Sequence, residues 1–356
     1  MNTLEKIKKS SSVFLISFFD VPFFIGFNQV ISPLFILARP ILFISITAFI
    51  GFIFYSFDLA FYDLVSISGL VVASLFSRSL AFSNFFSDRI IALSFRFLLF
   101  MILLDYFLDF SFLRDIFNIQ RDVTAARVSV ISSEPSFLTY TFFGLAFLNF
   151  ILSRKVFILI FWVFVVYFVT VSQALVLYTL FFLTLYIVVY SILSIFKNKI
   201  FRPTASFIGL YIVIISSYLF ISSDLYYAIA LYEINEQGSW RGISNYWALD
   251  YSSLVNTQID IGRVVSEASY EGGIPWITRP WSLLPALIAI FGLLPAIFFL
   301  IFVFRKCFAK NIKLNAYNTH FLTSAYAIIP IVLFLGPKWH FLGLVAFFYS
   351  LRKLKD

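Results

Sequence analysis

Residues 154–197 read RKVFILIFWVFVVYFVTVSQALVLYTLFFLTLYIVVYSILSIFK. Two apolar runs, 156–171 and 174–195, contain no charged residue and are separated by a polar step at Ser172 and Gln173. Arg154 and Lys155 open the pair and Lys197 closes it. Runs of this length match the roughly 20 residues that an α-helix needs to cross the hydrocarbon core of a bilayer. Inside lipid a helix also satisfies every backbone N–H and C=O within its own segment. The stretch therefore reads as two successive crossings whose outer flanks are basic and lie on the same side.

Outward from this pair the pattern repeats along the chain. Crossings are expected at about 40–57, 64–80, 90–112, 136–152, 156–171, 174–195, 204–222, 282–304, 318–336 and 339–351. The stretch 12–38 is apolar but broken by Asp20, Pro22, Pro33 and Arg39, so an interfacial segment, a re-entrant one and a further crossing all fit it. Composition agrees: 61% of residues are hydrophobic, 12% are charged and mean hydropathy is +0.96. A soluble domain carries about a quarter charged residues, and so little polar surface could not cover a soluble globule of 356 residues. The expected fold is all-α: one polytopic transmembrane bundle over 1–356, with about 10 spans (10–12) and a long, partly helical external loop.

A net charge of +8 and a pI near 9.4 raise the question of nucleic acid. The basic residues answer it by their positions. Lys6, Lys8 and Lys9; Arg154 and Lys155; Lys197, Lys199 and Arg202; Arg305, Lys306, Lys310 and Lys313; and Arg352, Lys353 and Lys355 punctuate alternate connections. This is the positive-inside distribution, which assigns those turns and both termini to the cytoplasm and makes the pI a topology signal. With one cysteine, Cys307, no intrachain disulfide can form and a thiolate metal site lacks partners. No P-loop, dinucleotide glycine pattern or HExxH is present. His320 and His340 fall on opposite sides of the expected topology, each as an interfacial residue.

Two connections are then external, 113–135 and 223–281. Long loops in compact domains are usually functional. The first carries Arg121, Arg127 and Glu134-Pro135-Ser136 at the start of a span. Pro135 suits a first helical turn, and the positive helix end favours an ionised Glu134. Arg127 offers the planar fork that grips a carboxylate or phosphate with two hydrogen bonds; a structural ion pair with Glu134 is the plainer alternative. In the second loop acids outnumber bases, with Glu267 and Glu271 among them, so Arg241, Arg263 and Arg279 are individual placements. Trp240, Trp247 and Tyr270 interleave with these charges, a mixture suited to sugar rings attached to a phosphate, although packing of the loop itself would account for Trp240 and Trp247. Trp276 and Trp281 fit an interfacial aromatic belt. Within the third span lie Arg96, Asp105 and Asp109, where ionisable groups are expensive.

The segment Arg127-Val-Ser-Val-Ile-Ser-Ser-Glu134-Pro135-Ser136-Phe137-Leu138 resembles the Arg-x-Ser…Glu-Pro-Ser-hydrophobic motif of the O-antigen and exopolysaccharide polymerase (Wzy-type) family. Thr170-Val-Ser172-Gln173 opening a span, the large external loop, Gly292-Leu-Leu-Pro after it and two closing spans fit the same layout. The resemblance implies a glycosyltransferase-type enzyme of the bacterial inner membrane that needs no cofactor or metal. Such an enzyme lengthens an undecaprenyl-pyrophosphate-linked glycan, with membrane lipid, a chain-length regulator and a flippase as partners. Arg127, Glu134, Arg241 and Arg263 are the expected catalytic residues. Arg121, Trp240, Trp247, Tyr270, Glu267, Glu271 and Arg279 are the expected substrate contacts. The related O-antigen ligases use a histidine in the large loop, and 223–281 contains none. A transporter or flippase, with Asp105 and Asp109 carrying protons or ions, is the alternative from another class.

Overall fold

A computed structural model describes residues 84–108, 135–237, 241–250, 281–305, 311–336 and 341–354, with isolated positions 70, 73, 74, 77 and 308. The stretch 12–38 and most of the expected spans 40–57 and 64–80 lie outside the described residues. Among those described, the chain is mostly helical. Helix α1 covers Asn84–Leu108, α2 Pro135–Ser153, α3 Val156–Thr170 and α4 Gln173–Ile195. A two-residue strand β1 (Ile200–Phe201) precedes α5 (Pro203–Ile221), α6 (Asp224–Gln237) and α7 (Arg241–Asp250). Then come α8 (Leu283–Phe291), α9 (Leu293–Arg305), strand β2 (Ile312–Lys313), α10 (Ala316–Pro330), a π-helical turn (Ile331–Leu335) and α11 (Phe341–Arg352).

Among the described residues, four segments are long and apolar enough to cross a membrane: Ile91–Leu108, Leu175–Ile195, Pro203–Ile221 and Ala316–Leu335. The apolar α2, α3 and α11 are shorter. The least apolar of the four is the most enclosed. In Ala316–Leu335 94% of the residues in the spanning window are buried, whereas in the more apolar Leu175–Ile195 only 22% are. Polar groups in lipid must face the bundle interior, and Asn318, Thr319, His320, Thr323 and Ser324 place α10 there. On α3, by contrast, Phe157, Phe161, Phe164 and Phe168 are exposed, the arrangement of a helix solvated by acyl chains.

The two ends of the bundle differ chemically. At one end β1 and β2 pair antiparallel, Ile200 with Lys313 and Phe201 with Ile312, so the basic turns around 197–202 and 311–313 share a side. Arg154 stacks on the ring of Tyr317, 4.8 Å from its centroid, and Arg352 donates to the Ser74 carbonyl and to the hydroxyls of Ser74 and Ser77. The basic groups around 154, 197–202 and 311–313, expected on one face, thus share one end. His320, expected at an interface, is instead buried beside this end. Its Nδ1 lies 2.7 Å from the Tyr186 hydroxyl and its Nε2 3.0 Å from the Ile151 carbonyl. Both ring nitrogens are satisfied by an Nε2–H tautomer assigned from this network.

The opposite end holds the irregular backbone. The expected single span over 282–304 is broken at Gly292, whose φ of 88° and ψ of 168° fall in a region open essentially to glycine alone. Pro330 cannot donate a backbone hydrogen bond, and the helix widens after it into the π-turn, closed by Gly336 N–H to Ile331 O at 2.6 Å. The helix of α8 packs against this turn. π-turns inside helices occur frequently at functional sites.

Candidate functional site

The polar groups of the non-basic end converge from four parts of the chain. Tyr140 stands near the start of α2, five residues after Pro135. Its hydroxyl is 3.4 Å from that of Tyr178, and their rings are stacked with centroids 5.8 Å apart. The Tyr178 hydroxyl donates to the Leu335 carbonyl at 2.7 Å, using an acceptor at the end of the π-turn. Trp281, at the close of the long loop, brings its ring to 6.3 Å from that of Tyr140.

Asn245 draws the long loop onto the same place. Its Oδ1 accepts the Ser282 backbone N–H at 2.9 Å, and its Nδ2 donates to Ser282 Oγ at 2.9 Å and to Phe334 O at 3.1 Å. The side chain is 1% exposed. A buried primary amide with three partners is close to fully satisfied, so α7 is held against the N-terminus of α8 and the π-turn together. Helix α7 seats itself by Ile243, Trp247, Ala248 and Leu249, all buried. Its neighbour α6 adds a ring contact between Tyr227 and Tyr246 at 4.8 Å.

Of the residues expected to act in catalysis or contact substrate, Trp247 is the one whose side chain the structure describes. It is 5% exposed and packs within the apolar core. The backbone of Arg241 begins α7. Arg121, Arg127, Glu134, Trp240, Arg263, Glu267, Tyr270, Glu271 and Arg279 lie outside the described residues, as does Asp109. Asp105 is buried on the face of α1 that also carries Leu98 and Ile102, while Arg96 points outward. No cluster of three metal-ligating side chains occurs among the described residues. Tyr140, Tyr178, Asn245 and Ser282 carried no local signal. Tyrosine near a span end is ordinary, and a loop asparagine becomes distinctive only when its partners are known.

No family model, no curated protein and no solved structure matches the chain. The family resemblance therefore rests on the motif at 127–138 and the layout around it.

Proposed function

We propose that the chain is a bacterial inner-membrane polymerase of lipid-linked oligosaccharide repeat units, with about ten spans and the non-basic end facing out. The single observation that supports the reading most is the junction at Asn245. It holds the long loop to the bundle beside Tyr140, one and a half turns from the Glu134-Pro135 helix start. Charged groups from both external connections would then act on one lipid headgroup.

In the proposed reaction the growing glycan leaves undecaprenyl pyrophosphate and its anomeric carbon bonds to a hydroxyl of the incoming lipid-linked unit. The glycosyl–oxygen bond to pyrophosphate breaks, and its electron pair stays on the departing pyrophosphate. The acceptor proton passes to a carboxylate, with Glu134, Glu267 and Glu271 as candidates. Arg127, with Arg241 and Arg263, would stabilise the charge that develops on the leaving group; one such donor is typically worth roughly 10²–10³ in rate. The bond to pyrophosphate supplies the driving force, so no cytoplasmic fuel is needed.

The interrupted span at Gly292 favours a second reading, since broken helices line substrate paths in many transporters. Purified protein in vesicles with an undecaprenyl-pyrophosphate-linked repeat unit separates the two. A ladder of lipid-linked glycan supports the polymerase. Absence of a ladder, with the lipid-linked unit crossing the vesicle membrane, supports the transporter.

A further inference from the structure

Helix α6 opens a connection that the sequence presents as the longest polar stretch, yet from Leu225 to Tyr232 its exposed side is apolar. Leu225 and Tyr232 are each 63% exposed and Ile229 is 44% exposed. These three recur at intervals of four and three residues, so they form one stripe along the helix. The other side faces the protein: Tyr226 and Ala230 are buried, and Tyr226 meets the ring of Phe220 at 5.7 Å.

We infer that α6 lies in the boundary between headgroups and acyl chains at the non-basic end, with its Leu225–Ile229–Tyr232 stripe covered by membrane lipid. Continuity with α5 carries the argument. That helix, apolar enough to span a membrane, exposes Ile208, Ile212, Ile215 and Leu219. Its 19 residues rise about 28 Å, close to the thickness of the hydrocarbon core, so it reaches the boundary where α6 begins. The turn there is short and shaped by side chains. Ser223 Oγ donates to Phe220 O, and the N–H of Tyr226 donates back to Ser223 Oγ at 3.3 Å. The apolar surface of α5 therefore passes into that of α6 with only Ser222, Ser223 and the exposed Asp224 between them.

The chemistry of α6 selects the mode of attachment. Residues 224–237 contain Asp224, Glu233 and Glu236 but no Lys or Arg. Attraction to anionic headgroups, on which many surface helices rely, is absent. Insertion of the apolar stripe remains, and α5 already tethers the helix, so the stripe needs little affinity of its own. Tyr232 suits the boundary because its ring is apolar and its hydroxyl can stay hydrated.

The test places a nitroxide at Leu225→Cys, Ile229→Cys or Tyr232→Cys in a Cys307→Ser background. The full chain is reconstituted in vesicles of phosphatidylethanolamine and phosphatidylglycerol, with Ile212→Cys as the lipid-facing reference. Because the three sites are exposed, labelling should leave the fold intact. Collision with oxygen should exceed collision with a water-soluble nickel chelate at all three, shifted in the same direction as at Ile212. A preference for nickel at the three sites would overturn the inference. So would mutual spin broadening between labels at Ile229, which would make a second copy of the chain the occupant.

Discussion

The side-chain amide of Asn245 donates to the carbonyl of Phe334 at 3.1 Å, joining a helix of the long loop to the π-turn that ends the most enclosed of the four candidate spans. The acceptor is open because Phe334 lies in the last turn before Gly336, where helix carbonyls have no intrahelical partner. The donor reaches it because the same amide is fixed on its other side by Ser282. Loop, broken span and π-turn are coupled through one residue.

That coupling predicts a graded response at position 245. Asn245→Asp keeps the acceptor for the Ser282 N–H but turns a carboxylate oxygen toward Phe334 O. Asn245→Leu removes all three bonds and strands buried groups, each worth about 1–3 kcal/mol. Both variants should lower the apparent melting temperature in detergent. A wild-type melting temperature for Asn245→Leu would show that the clamp contributes nothing to holding the loop.

The proposed chemistry is tested most directly at Arg127 and Glu134. Arg127→Lys keeps the charge but loses the bidentate fork, and polymer formation should fall by roughly 10-fold or more; Arg127→Ala should lose roughly 10²–10³. Glu134→Gln separates two roles. A catalytic base would lose turnover with lipid binding intact, whereas a carboxylate that positions Arg127 would weaken binding of the lipid-linked unit as well. Wild-type polymerisation by folded Arg127→Ala would confine the motif to a structural rim.

Topology is open to impermeant thiol labelling of intact cells in a Cys307→Ser background. Asn245 is too buried to report it, so Asp224 and Lys199, both exposed and at opposite ends of α5, are better sites. Asp224→Cys should label from outside and Lys199→Cys only after permeabilisation. The reverse pattern would invert the assignment of the basic end to the cytoplasm.

Three backbone positions should shift stability by different amounts, and one of them upward. A Cβ at Gly144 would overlap Leu342 where α2 meets α11, so Gly144→Ala should destabilise by about 1–3 kcal/mol through overpacking. At Gly209 the nearest obstacle is the end of the Tyr326 side chain at 3.0 Å, and Gly209→Ala should cost less. Val171, a β-branched residue at φ 52° in the turn between α3 and α4, is strained and half exposed. Val171→Asn should recover about 1 kcal/mol, read as a higher apparent melting temperature. Equal melting temperatures for Gly144→Ala and Gly209→Ala would contradict the close approach of α2 and α11.

The sequence by itself determined that the solvent is lipid and where helices form. Both are local properties: a bilayer demands an unbroken apolar run, so the expected 136–152, 156–171 and 204–222 lie within a residue or two of α2, α3 and α5. It also marked the basic connections, because most of the basic residues fall in turns between apolar runs. Tertiary structure alone decided which helix is central and which faces lipid, since acyl chains and a protein interior are equally apolar to a leucine. It decided that His320 lies between Tyr186 and Ile151 rather than at an interface. It decided too that Gly292 interrupts a span which hydropathy reads as continuous, because glycine's missing Cβ permits a break without requiring one. Asn245 shows the same limit: an amide in a long loop acquires meaning only from partners 37 and 89 residues away.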